Sequence, residues 1–232
     1  MTSWLGPEET TALLLSLRVS LAATLASLPL ALLVAQALAR WRFPGRGLLN
    51  LIVHMPLVLP PVVTGYLLLE TFGLRGPVGG FLNDCCGIVV AFRWTGAALA
   101  SAVMAFPLMV RPIRLSLEAV SRVQEESAAD LGARPLLVFL TVTLPLSLPG
   151  LVAGSVLGFA RAMGEFGATI TFVSSIPGET QTLPSAIYAF LQVPGGEPAA
   201  IRLVLISVAV SAAAILLSEA AGRRAARRSA GL

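Results

Sequence analysis

The chain has 232 residues, of which 56% are hydrophobic and only 12% charged, with a mean hydropathy of +0.85. So few charges cannot cover a water-soluble surface, which excludes a soluble globular domain and places the chain in a bilayer. The formal net charge of +4 rests on sixteen cations, all arginine, and their position at the fringes of apolar runs suits membrane orientation and not nucleic-acid binding.

A helix needs roughly 20 apolar residues to cross about 30 Å of hydrocarbon. The first run that meets this length covers residues 12–39; it is too long for a signal-peptide core and no small-residue cleavage site follows, so it reads as a retained span. The second covers 48–70 and contains Pro56, Pro60, Pro61 and Gly65. Proline removes backbone donors, and broken backbone at membrane depth survives only where protein or a water-filled cavity covers it. This span therefore borders a path or is a kinked structural helix. His54, early in the same run, reads as a packing residue and not a proton relay.

Residues 78–92 are interrupted by Gly79-Gly80 and Asn83-Asp84, which predicts an interfacial segment. The adjacent Cys85 and Cys86 are poorly spaced for a mutual disulfide and have no further Cys or His nearby to complete a metal site. The third span runs over about 95–115 and the fourth over 146–172. On the fourth, Gly150, Gly154 and Gly158 repeat on one face, where another backbone can approach closely. That face is a seam with a second copy or a packing surface within one subunit. Residues 183–193 are short and read as interfacial, and 200–217 form the fifth span. The expected fold is all-α and transmembrane, one membrane domain over residues 1–232 with five spans, six being the alternative.

Eleven arginines fall on one proposed side: Arg40, Arg42 and Arg46, Arg111 and Arg114, Arg122 and Arg134, then Arg223, Arg224, Arg227 and Arg228. Cytoplasmic flanks carry the excess of cations. This puts the N-terminus outside, the C-terminus in the cytoplasm, and the polar stretch between the third and fourth spans inside. Within the fourth span, Arg161 and Glu165 stand one helical turn apart and can neutralise each other. A carboxylate aimed into a path would repel an oxyanion, so Glu165 suits a gate or brace better than a ligand. Thr169, Thr171, Ser174 and Ser175 could line the outer part of a path.

The polar insert, about residues 118–145, carries the most informative pattern. Glu126-Ser127-Ala128 is followed after three residues by Gly132, and after nine more by Val142-Thr143-Leu144-Pro145. Small residues suit a helix start, Gly132 can turn the chain with φ > 0, and Leu136, Leu137 and Leu140 give a second helix an apolar face that could fill a groove on a partner. The spacing resembles the cytoplasmic docking loop of ABC-importer permeases, departing from it only at Ser127 and Val142, where the family prefers Ala and Ile. Three further runs, residues 59–66, 161–169 and 176–188, are similar to those of molybdate-transporter permeases, with sulfate permeases as near relatives. The likeness spans about residues 10–222.

The resemblance implies a type I ABC-importer permease fold with a cytoplasmic coupling helix-turn-helix. It also implies a complex of two permease copies, two cytoplasmic ATPase subunits and a periplasmic or extracellular molybdate-binding protein, set in the cell inner membrane. The coupling residues would be Glu125, Glu126, Ala128, Ala129, Gly132, Leu144 and Pro145. Pro60, Pro61, Thr64, Arg161, Glu165 and Thr169 would border or gate the path. No catalytic residue, metal ligand or cofactor is expected of this chain; it has no phosphate-binding Gly-x-x-x-x-Gly-Lys-Ser/Thr loop, so ATP and Mg belong to the partner ATPase. Two other classes compete. A membrane enzyme lacks a catalytic constellation, and a secondary transporter would use Arg161 and Glu165 as an ion-coupled site.

Overall fold

The computed structural model describes residues 4–230, and for residues 217, 218 and 220–230 the backbone alone. The side chains of Arg223, Arg224, Arg227 and Arg228 thus lie outside the described set. The described residues form helices without strands. Four of them are long and apolar enough to span a membrane: α1 (Pro7–Arg40), α5 (Trp94–Ala119), the rod ending in α8 (Leu144–Met163) and α11 (Glu197–Ala230).

The run 48–70 is not the continuous span expected, and it makes a fifth crossing only if its two helices count as one broken span. It consists of α2 (Arg46–Val58) and α3 (Pro61–Phe72), bent by 116° at Leu59-Pro60. The cause is local: two successive prolines supply no N–H, and a residue before proline is pushed out of the helical region, where Leu59 takes φ −68° and ψ 139°. Pro56, by contrast, is absorbed within α2. The run 146–172 is likewise not one helix. It stops at Met163, turns through Gly164–Phe166 and resumes as α9 (Gly167–Val173). The segments α4 (Pro77–Cys86) and α10 (Leu183–Leu191) have 10 and 9 residues, too short to cross the hydrocarbon.

The core of the bundle is the crossing of α5 with α8. Gly150, Gly154 and Gly158 face α5 in the same chain, which decides between the two roles open to that stripe. A Cβ at Gly150 would lie 2.2 Å from Ser116 Cβ, one at Gly154 2.8 Å from Met109 O, and one at Gly158 2.5 Å from Met109 Cγ. No side chain larger than hydrogen fits there, so the backbones approach closely and gain dispersion contacts that lipid cannot supply. Around this seam α1 buries Ala31, Ala35 and Leu38 against Met109, Val110, Ile113 and Leu117 of α5. A second cluster joins α1, α3, α5 and α9 through Val19, Leu68, Ala97 and Phe172.

Candidate functional site: the polar insert and the broken spans

The insert folds as α6 (Arg122–Asp130), a turn, and α7 (Pro135–Val138), which continues through a π-helical turn (Phe139–Thr143) into α8. Gly132 has φ +86°. Its N–H donates to Ala129 O at 2.8 Å, and the Ala133 N–H donates to Ala128 O at 3.2 Å. This pair of bonds closes a helix C-terminus around a left-handed residue. The spacing of Ala128, Ala129 and Gly132 is therefore the spacing this turn requires: two small residues give the accepting carbonyls and glycine supplies the positive φ.

The side chains of the insert divide into two groups. Glu126 is exposed, and no residue of α6 is buried. The same insert also exposes apolar side chains, Leu131 at 91%, Leu136 at 69% and Val123 at 68%. Glu125, next in sequence, turns the other way. Its Oε1 accepts from Thr143 Oγ1 at 2.7 Å and from Arg40 Nη2 at 3.1 Å, and the Arg40 Nη2 also reaches Val120 O at 2.9 Å. A cavity of about 370 Å³ lies beside this junction, bordered by Gln36, Arg122, Glu126 and Phe139. Leu144 and Pro145 open α8 directly after the π-helical turn, where the Leu144 N–H donates to Phe139 O and proline supplies no N–H to continue the ladder. The insert thus gathers Glu125 and Thr143, leaves Glu126 facing outward, and keeps Gly132 apart in the turn.

The second group of sequence-predicted residues meets where α3 crosses α9. A Cβ on Gly65 would lie 2.5 Å from Ala168 O, and one on Gly167 2.7 Å from Pro61 Cβ. Thr64 and Thr169 are buried on these two helices. The Thr64 hydroxyl has no hydrogen-bond partner, whereas Thr169 Oγ1 donates to Phe166 O at 2.9 Å; Pro60 is exposed at the bend. Glu165, 2% exposed, uses both oxygens. Oε2 pairs with Arg161 Nη1 at 2.5 Å, and Oε1 accepts the Ala168 N–H at 2.7 Å. The carboxylate therefore neutralises the end of α8 while capping the start of α9, which makes it a brace across the break. Of the outer hydroxyls, Thr171 donates to Gly167 O, and the hydroxyl oxygen of the half-buried Ser175 is shielded without a partner.

Sequence reading missed three anchors. In the sequence Arg40 speaks only of orientation, and Thr143 stands in the run Val142-Thr143-Leu144-Pro145 with no partner indicated. The third is Glu9, 2% exposed, which ties α1 to α11 by accepting from Arg202 Nη2 at 2.6 Å and Nε at 3.0 Å. It also takes the Gly6 N–H and so caps its own helix. Partners 85 and 193 residues apart leave no periodicity to read; the available signal was a carboxylate inside an apolar helix, which must be paired. Cys85 and Cys86 are free and exposed. Among the described residues no group of three His, Cys, Asp or Glu side chains could hold a metal ion.

Four long apolar helices, a bent helix pair, a helix broken at Gly164–Phe166 and a polar helix-turn-helix between two spans mark a multi-span membrane protein. Residues 27–227 match the family model of the binding-protein-dependent transport system inner membrane component, and the chain belongs to that family. It is 57% identical over 215 residues to the molybdenum transport system permease protein ModB of Escherichia coli, covering 93% of this chain and 94% of that one. The sulfate transport system permease protein CysT of Salmonella typhimurium is more distant, at 35% identity over 206 residues covering 89% of this chain and 74% of that one. Among solved structures, a bacterial alginate ABC transporter in complex with alginate pentasaccharide-bound periplasmic protein matches with a TM-score of 0.75 at 17% identity. That match covers 94% of this chain and 80% of that one, and it shows the shared fold.

Proposed function

We propose that this chain is the permease subunit of an ATP-driven importer of molybdate, with tungstate as the chemically equivalent cargo. Two copies would enclose the path, two cytoplasmic ATPase subunits would grip the inserts, and a soluble binding protein outside would deliver the anion. The N-terminus would lie outside and the C-terminus in the cytoplasm, which the arginine distribution favours and which requires α2 and α3 to count as one crossing. ATP closure of the ATPase pair would move the inserts and switch the helices between inward- and outward-facing arrangements. ATP and Mg would be bound by the ATPase alone.

The observation that carries this reading is the surface of the insert. Val123 and Leu131 stand exposed on the segment that carries the exposed Glu126, outside the helices long enough to span the membrane, and exposed apolar side chains on a polar segment fit a protein partner. The anion rests on the 57% identity to a molybdenum permease against 35% to a sulfate permease. An ion-coupled secondary transporter fits less well, because both oxygens of Glu165 are already engaged. The test is ATPase activity of the reconstituted complex with its binding protein, comparing molybdate, tungstate, sulfate and no anion. Stimulation by molybdate and tungstate is expected; stimulation by sulfate alone would move the chain to sulfate import.

A further inference from the structure

The insert is covalently continuous with α5 and, through the π-helical turn, with α8. It is not continuous with α1. Among the described residues, Arg40 makes every hydrogen bond and ion pair that joins α1 to the insert: its Nη2 reaches Val120 O and Glu125 Oε1. Because Thr143 Oγ1 donates to the same carboxylate oxygen, one atom of Glu125 holds three segments together: the end of the first span, the docking helix, and the turn that leads into the fourth span. The π-helical turn contributes to this arrangement; such turns are rare and recur at functional positions.

The junction is also incompletely satisfied. Arg40 Nε and Gln36 Oε1 are buried with no partner, although buried polar groups are nearly always paired. They are a donor and an acceptor one helical turn apart on α1, so a change of side-chain rotamer brings them together. The cavity of about 370 Å³ beside them leaves room for that change. The structure holds Arg40 forward on Glu125 and Val120; turned back on Gln36, it would leave Glu125 held by Thr143 alone. A discrete pair of states is what a coupling element needs, since packed structures switch and do not deform continuously.

We propose that Arg40 is a positioning residue that makes α1 a receiver of the docking helix's movement, the junction with Glu125 and Thr143 exchanging partners as the insert shifts. This rests on the reading of the insert as an ATPase-docking segment. Without Arg40, movement of α6 still reaches α5 and α8 through the chain, but reaches α1 only through its apolar packing on α5. Hydrolysis then runs with the path only partly switched.

The test uses the full complex in lipid vesicles with molybdate-loaded binding protein and measures anion imported per ATP hydrolysed. ATPase retention on the purified complex is measured separately. Arg40→Ala should lower import per ATP about tenfold while the ATPase still copurifies, and the reversed pair Arg40→Glu with Glu125→Arg should recover most of that loss, the sign of a direct coupling between two side chains. Thr143→Val, which removes one hydroxyl and no charge, should lower the ratio about two- to threefold. Because Thr143→Val keeps the ion pair, it still decides the matter if Arg40→Ala fails to assemble: an unchanged ratio overturns the proposal. An unchanged ratio in Arg40→Ala, or a reversed pair no better than its two single variants combined, overturns it equally. A wild-type complex that hydrolyses ATP but imports no oxyanion overturns the functional reading, and the proposal with it.

Discussion

The α5–α8 seam and the insert junction are both crossings of helices, yet they are built from opposite materials. At the seam three glycines bring backbone against backbone, and any added atom would sit within 2.2 to 2.8 Å of a neighbour. At the junction one carboxylate is shared between two donors beside a cavity, with a donor and an acceptor left over. Close-packed contacts admit one arrangement, because displacement forfeits dispersion on every atom. A partly satisfied polar cluster admits more than one, because hydrogen bonds can be traded at nearly constant number. The bundle is thus rigid where the chain must stay assembled and adaptable where a partner's movement would enter it. The α8–α9 break belongs with the rigid part, since Glu165 spends both oxygens and leaves nothing to exchange.

This contrast can be broken most severely at the α8–α9 corner. Arg161→Ala would strand Glu165, 2% exposed, without its cation, and losing one partner of a buried pair costs about 3–5 kcal/mol. We expect a marked fall in yield and in the thermal midpoint of the purified protein, and partial recovery when Glu165→Gln is added. A midpoint equal to wild type in the single variant would remove the brace from the rigid part. Next, Gly150→Leu forces a side chain into Ser116 and Pro112 O. Overpacking of this kind costs about 1–3 kcal/mol, read as a lower midpoint of the subunit by itself, before any partner is added. An unshifted midpoint would mean that α5 and α8 can separate there at little cost.

The smallest effect on the fold, with the most selective effect on function, belongs to Gly132→Val. At φ +86° a β-branched residue costs about 1–2 kcal/mol, but the turn is exposed and nothing lies within 4 Å of the added Cβ. The bundle's midpoint should fall by no more than the equivalent of that cost of about 1–2 kcal/mol, while the ATPase copurifies less well or hydrolyses without transport. A variant that assembles and transports as wild type does would show that the turn geometry is not what the partner reads.

Much of this arrangement was legible beforehand. The turn at Gly132 could be read because all its parts lie within six residues, and local hydrogen bonding dictates their spacing. The long spans could be read because crossing hydrocarbon imposes a length and an apolar composition that no other environment demands. The bend at Leu59-Pro60 was half legible. Prolines announced broken backbone, but whether the helix kinks or folds back by 116° depends on what the second half packs against, which is α9 through Gly65 and Ala168. The glycine stripe likewise announced close approach without naming its partner.

The sequence alone therefore determined that the chain lives in a membrane, which runs are long and apolar enough to cross it, and where the polar turn at Gly132 falls, since each is a property of consecutive residues. Tertiary structure decided which helices meet and which charges pair. Arg40 with Glu125, Glu9 with Arg202, and Gly150 with Ser116 are matches between distant segments. Each side of such a match is compatible with many partners until packing leaves room for one.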